Sequence, residues 1–273
     1  MASHTLNPRP FAGLSCEREL VALRELLPAA SMTLRLNKEH GGREVVFASV
    51  LPALWPALHR KDGTLMVGMQ ATVPGGDLSR AFAAALLEAA ELEAGQAVTH
   101  LQIPDDAPTL QEILDDSAPV ELTVHETFDF WLDGEGERTE DMSAALQEAN
   151  DTIMPSRAVA GLEHAYWVDA GSKEHLRWVR SEDEERVVDA TARLHARRES
   201  GIGEGTRFVG MFRAEGLTIP VWDLPKGFGA DGVSAVADEL RERFEAALAC
   251  EDDLTVMERR ARGGIVARQV TLR

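Results

Sequence analysis

His164-Ala-Tyr-Trp-Val-Asp169 runs into Gly171-Ser172-Lys173 and returns as His175-Leu-Arg-Trp-Val-Arg180. A capped helix is expected next, from Ser181-Glu-Asp-Glu184. Then come Arg207-Phe-Val-Gly-Met-Phe-Arg213 and, after a turn, Leu217-Thr-Ile-Pro-Val-Trp-Asp-Leu-Pro225. Two hairpins around a helix decide the fold class. Antiparallel neighbours need only tight turns, and aromatic and β-branched residues favour strands. The region 164–225 therefore predicts antiparallel sheet with helices laid against it.

Outward from this core the same grammar recurs. Upstream, Ser15 is an expected N-cap for a helix with Leu20, Leu23 and Leu27 on one face. Met32–Leu36 and Arg43–Leu51 read as strands. Lys61-Asp62-Gly63 joins Trp55–His59 to Thr64–Thr72 as a hairpin, and Asp77 caps a helix after Pro74-Gly75-Gly76. Thr109-Leu-Gln-Glu112 is a capping box, Val120–Leu132 reads as a strand and Thr139 caps a helix that Pro155 ends. Downstream of Pro225, a helix over Asp231–Ala249, a short helix and a terminal strand complete the chain. His59–Asp77 and Phe212–Asp231 share an order of strand, Gly turn, strand, Pro, cap and helix. The expected architecture is α+β, with two related halves, 1–155 and 156–273, each a mostly antiparallel sheet with helices packed on one face.

The chain has 273 residues, is 44% apolar and carries a net charge of −18. The charge is lopsided. Residues 1–155 hold 10 basic and 25 acidic side chains, whereas 156–273 hold 18 and 21. Between Asp105 and Asp151 there are 15 acidic residues and one base, Arg138. Such a field repels nucleic acid and favours a basic protein partner. No apolar run approaches the roughly 20 residues of a membrane helix, and no secretory leader is expected. Cys16 and Cys250 are isolated and form no disulfide framework, which fits reduced thiols and a cytoplasmic location.

No complete catalytic motif is present. Asp133-Gly-Glu-Gly-Glu137 has the carboxylate spacing of a calcium loop, but its sixth and twelfth positions are Arg138 and Ala144, where that loop needs Gly and Glu. The eight histidines form no zinc motif, so neither a metal nor a cofactor is expected. Gly201-Ile-Gly-Glu-Gly205 follows a helix, the reverse of a phosphate loop. The strongest candidate acid is Asp223, with His164 and His175 as candidate partners that the hairpin would place opposite each other. Trp167, Trp178 and Trp222 form either core or a stacking platform for a ligand. Asp133, Glu135, Glu137 and Glu140 are the candidate docking charges.

Phe11-Ala-Gly-Leu14, Val21-Ala-Leu-Arg-Glu25, Ala165-Tyr-Trp-Val-Asp-Ala170, His175–Arg180, Pro220–Pro225 and Arg268-Gln-Val-Thr-Leu-Arg273 together resemble a family of uncharacterised actinobacterial proteins, a domain of unknown function. Members are sometimes labelled as related to the translocase SecA. The likeness covers nearly the whole chain. It implies an actinobacterial, cytoplasmic setting and brings no known activity, cofactor or catalytic residue. The short Cys/His motif behind the SecA label and the Lys/Arg-rich leading tail of members are not in this sequence.

The expectation is a non-catalytic cytoplasmic binding or adaptor protein, with no membrane contact and no nucleic acid bound through this chain alone. The alternatives are an enzyme with a polar site in a cleft between the halves, built on Asp223 and a histidine, and a structural subunit of a homo-oligomer.

Overall fold

The computed structural model describes residues 6–132, 139–268 and 270–271. The chain separates into two compact units, Met1–Ile153 and Met154–Arg273.

The first unit contains α1 (Glu17–Glu25), β1 (Ala30–Arg35), β2 (Glu44–Ala48), β3 (Ala57–His59), β4 (Leu65–Gly68), α2 (Leu78–Glu91), β5 (Gln96–Val98), α3 (Leu110–Ile113), β6 (Glu121–Val124) and α4 (Glu140–Asn150). Its sheet runs β5-β3-β4-β2-β1-β6. Every pairing is antiparallel except β2 with β4. α2 starts where Asp77 accepts from the Ser79 and Arg80 amides, and it is buried around much of its girth, from Ala81 through Leu86. It packs on β3 and β4. Alternation along the strands then leaves Leu58, Met66 and Ala48 on the opposite face, where they cluster with Phe128, Phe130 and Leu146. Helices therefore lie on both faces of this sheet, not one, because the acidic segment covers the second face with its few apolar side chains. Gly68 is required by contact: a Cβ there would lie 2.6 Å from the Trp55 carbonyl oxygen.

Two local expectations for this unit change. Ser15 does not cap α1; its amide donates to Asp116 Oδ1 at 2.7 Å and ties the helix start to the acidic segment. The strand expected over 120–132 ends at Val124. The chain then turns through a 3-10 helix, Asp129–Leu132. A strand would put Phe128 and Phe130 on one face and turn Trp131 to the other, whereas all three pack on one cluster. Instead Phe128 stacks on Trp131 at 4.3 Å and Phe130 on His125 at 4.4 Å.

The second unit contains β7 (Ser156–Ala158), β8 (Ala165–Asp169), β9 (Glu174–Trp178), α5 (Glu184–Ala196), β10 (Arg207–Ala214), β11 (Leu217–Leu224), α6 (Gly229–Ser234), α7 (Ala237–Leu248), α8 (Val256–Val266) and β12 (Val270–Thr271). Its sheet runs β12-β10-β11-β9-β8-β7, antiparallel except for β10 with β12. Leu176, Trp178, Phe208 and Trp222 meet Val187, Leu194, Leu240 and Phe244 from α5 and α7 in one core. α5 is capped by Asp183, which accepts from the Glu185 and Arg186 amides, rather than by Ser181. The helix expected over 231–249 is two helices that break at Ala235–Val236.

Setting β6 and β7 aside, the neighbour order is the same in both sheets: fifth, third, fourth, second, first. The direction is not. β2 and β4 are parallel, whereas their counterparts β9 and β11 are antiparallel. The short link from β2 to β3 keeps the chain at one end of the sheet. In the second unit α5 carries it back to the other end before β10 begins, so the β10–β11 hairpin is inverted.

Candidate functional site

The second sheet carries a cluster of charged side chains at one end, around the turn between β8 and β9. On the face away from the helices, Asp223 is the direct cross-strand neighbour of Arg207 on one side and His175 on the other. Lys173, from the turn, reaches Asp223 Oδ2 at 2.6 Å, and Arg207 reaches it at 3.3 Å. His175 Nδ1 lies 3.2 Å from Asp223 Oδ1, without the alignment of a hydrogen bond. Burial pushes the Asp223 carboxyl up, but Lys173, Arg207 and His175 together bring it below the usual range. A carboxylate matched in this way is a weak proton acceptor, so the arrangement suits an ion cluster that ties the turn to β11. Among the described residues, no hydroxyl or thiol is hydrogen-bonded to His175.

The helix-facing side of the same turn holds a second carboxylate. Glu174 is buried at 3% exposure. It accepts from the Gly227 amide at 2.6 Å, the Gly229 amide at 2.7 Å and Trp167 Nε1 at 2.8 Å. Burial raises its carboxyl, and the three donors outweigh that and hold it low. Lys226 bonds Asp169 Oδ1 at 2.6 Å, so the loop 225–229 is fastened to the turn at two points.

His164 is remote from this cluster. It precedes β8 with φ +56°, and its carbonyl accepts from the Val179 amide. His175 pairs with Val168 in the register. The expected His164–His175 pairing is therefore overturned, because the hairpin turn sits at 170–173 and His164 falls at the far end of the ladder. A tryptophan platform is not formed either. Trp178 and Trp222 are each 2% exposed and pack against Phe244 and Phe208, while half-buried Trp167 is occupied by Glu174. Core-facing parity does this to Trp167, Trp178 and Trp222 alike. Glu174 was missed from the sequence, although it had a signal: it shares the parity of Leu176 and Trp178, so a lone acid stands in an apolar stripe.

The acidic segment divides into carboxylates with local duties and carboxylates without. Glu112 closes the capping box with Thr109, and Asp115 accepts from Ser117. Both are lowered by those hydrogen bonds. Glu140, Asp141 and Glu148 on α4 are exposed and have no cation partner among the described residues. Only Leu146 of that helix is buried. The other candidate docking charges, Asp133, Glu135 and Glu137, lie outside the described residues. Among the described residues, no group of three or more His, Cys, Asp or Glu is placed to hold a metal ion, and no helix is long and apolar enough to cross a membrane.

Residues 10–273 match a family described as a family of unknown function, DUF5926. The chain belongs to this family. The match takes in both units and every charged group described above. No curated protein and no solved structure matches the chain.

Proposed function

We propose that this chain is a non-catalytic binding protein that presents α4 as a docking surface for a basic partner. The observation that carries the reading is the contrast between the two sides of the acidic segment. Phe128, Phe130 and Leu146 hold it against the sheet, and Glu140, Asp141 and Glu148 face solvent with no counter-charge among the described residues. Charge placed on an anchored helix has a fixed geometry, which a solubilising tail lacks. At physiological ionic strength the field reaches about 8 Å, so it acts on partner choice and encounter more than on total affinity. The competing enzyme reading, Asp223 with a histidine, is weakened by Lys173 and Arg207, which occupy that carboxylate.

The test is capture of partners from the native host, identified by mass spectrometry at low and raised salt. The bait is wild type or the triple variant Glu140→Gln, Asp141→Asn, Glu148→Gln. Docking predicts a salt-sensitive basic partner that the variant loses with its melting temperature nearly unchanged. An identical partner set with both baits refutes the proposal.

A further inference from the structure

On a chain this acidic, one groove has the opposite charge. It lies between the C-terminal end of α5 and α8, has a volume of about 590 Å³, and its charged lining is His195, Arg198, Arg260 and Arg268, with no carboxylate. Arg198 and Arg260 have no ion-pair partner among the described residues. The nearest acid on α8, Glu258, is buried and faces Arg193 at 3.7 Å and Arg197 at 3.9 Å. Met257, on the groove wall, is 61% exposed, and Val256 beside it 72%. α8 also carries Gly263 and Gly264, where an added Cβ would meet nothing within 4 Å. Glycine inside a helix costs about 1 kcal/mol relative to alanine, and among the described residues of the second unit no neighbour uses the space. Exposed apolar groups, uncompensated arginines and an unused close approach describe a surface built to be covered.

We infer that this groove receives α4 of a second copy of the chain. The inference rests on the reading of α4 as a docking surface and names its basic partner. The charges match in sign and in spacing. Along α4, Glu140, Ala144 and Glu148 follow at four-residue steps on one exposed stripe. Along α8, Arg260, Gly264 and Arg268 follow at the same step, the last just beyond the helix end. Eight residues of helix span about 12 Å, so each acid of one stripe can meet a base of the other. Between them Ala144 comes to rest at Gly264, where the absent side chain lets the two helices approach. α4 and the groove are different patches of one chain, so the contact is head to tail. Such a contact adds copies without closing unless its rotation makes a ring.

The experiment is sedimentation velocity of the full chain over a concentration series in low salt. Wild type is expected to sediment faster as concentration rises and to return to monomer when salt is added. Glu140→Arg with Glu148→Arg, and separately Arg260→Glu with Arg268→Glu, should each remain monomeric, because each chain then carries two stripes of one sign. Mixed one to one, they should assemble again by alternation, since the α4 stripe of each variant then meets a groove of opposite sign in the other. If a charge-reversed chain fails to fold, the neutral pairs Glu140→Gln with Glu148→Gln and Arg260→Gln with Arg268→Gln replace it, and weakened assembly is expected. A wild type that stays monomeric throughout overturns the inference, as does a variant that assembles like wild type on its own or a mixture of the two variants that stays monomeric. A monomeric wild type whose captured partners still depend on the α4 charges overturns this inference alone and leaves the docking proposal standing.

Discussion

The indole nitrogen of Trp167 donates to Oε2 of Glu174 across the β8–β9 hairpin at 2.8 Å, and the same carboxylate caps the loop amides of Gly227 and Gly229. One buried acid thus holds a hairpin, a loop and the start of α6 together. Glu174→Ala takes the acceptor from three donors. Hydrogen bonds to a charged group contribute about 1.5–3 kcal/mol each before solvent replaces some of them, so a loss of about 2–4 kcal/mol is expected. Urea denaturation followed by tryptophan fluorescence measures it. A change within error of wild type would mean that the loop holds without the carboxylate.

Acid should weaken the second unit in a defined window. The folded-state pKa values of Glu174, Asp223 and Glu258 are all depressed. Such groups stabilise above the unfolded values, about 4 for Asp and Glu, and the contribution disappears as pH falls through the lower folded values. Urea midpoints are expected to be level from pH 7 to about 5 and to decline below that. Asp223→Asn should make the decline shallower; an unchanged slope would count against the ion cluster.

The two thiols should differ in reactivity. Cys16 is buried, and that burial, aided by Glu19 and Asp116, pushes its thiol up to about 12. Cys250 is half-buried. Thiolate is the reactive form, so iodoacetamide at pH 8 should modify Cys250 in the native protein and reach Cys16 only after unfolding. Peptide mass mapping before and after denaturation gives the answer.

Two glycines should respond oppositely to alanine. Gly68→Ala drives a methyl into the Trp55 carbonyl, a backbone atom, and overpacking of this kind costs about 1–3 kcal/mol. Gly263→Ala adds a methyl in open space inside α8, with a gain of about 1 kcal/mol from helix propensity. Thermal melts of the two variants should move in opposite directions.

Arg180 tests packing against charge. It is 6% exposed, bonds Glu182 and Glu245, and lies over the Trp178 and Phe244 rings at 4.3 and 4.9 Å. Arg180→Lys keeps the charge but loses the planar fork and much of the ring contact. A cost of about 1–2 kcal/mol is expected from the cation–π and hydrogen-bond losses. If lysine is tolerated without loss, charge alone suffices at this position.

Periodicity and turn chemistry made the hairpins legible before any coordinates. Lys61-Asp62-Gly63 and Gly171-Ser172-Lys173 lie at turns, and Asp77, Thr109 and Thr139 cap their helices. What the residues hid was non-local. Nothing near Ser15 announces that Asp116, a hundred residues on, takes its amide. The aromatic run Phe128-Asp-Phe-Trp131 carries strand propensity, yet the need to cover the far face of the sheet bends it into a 3-10 turn. Asp223 and His175 could be named from sequence, but their direct adjacency follows from the β9–β11 register. Glu174 was legible only as a breach of alternation, and its partners Gly227 and Gly229 come from a loop whose path strands do not foretell.

The opposed directions of the β3–β4 and β10–β11 hairpins bear on exchange between the halves. A fragment that carries one hairpin cannot be spliced into the other sheet, because its entry and exit would emerge at the wrong end. A working graft would have to bring its own connector, so that α5 travels with β10–β11 and the short link with β3–β4. Any chimera of the halves, made by recombination or by hand, is therefore restricted to crossover points outside these connector–hairpin blocks.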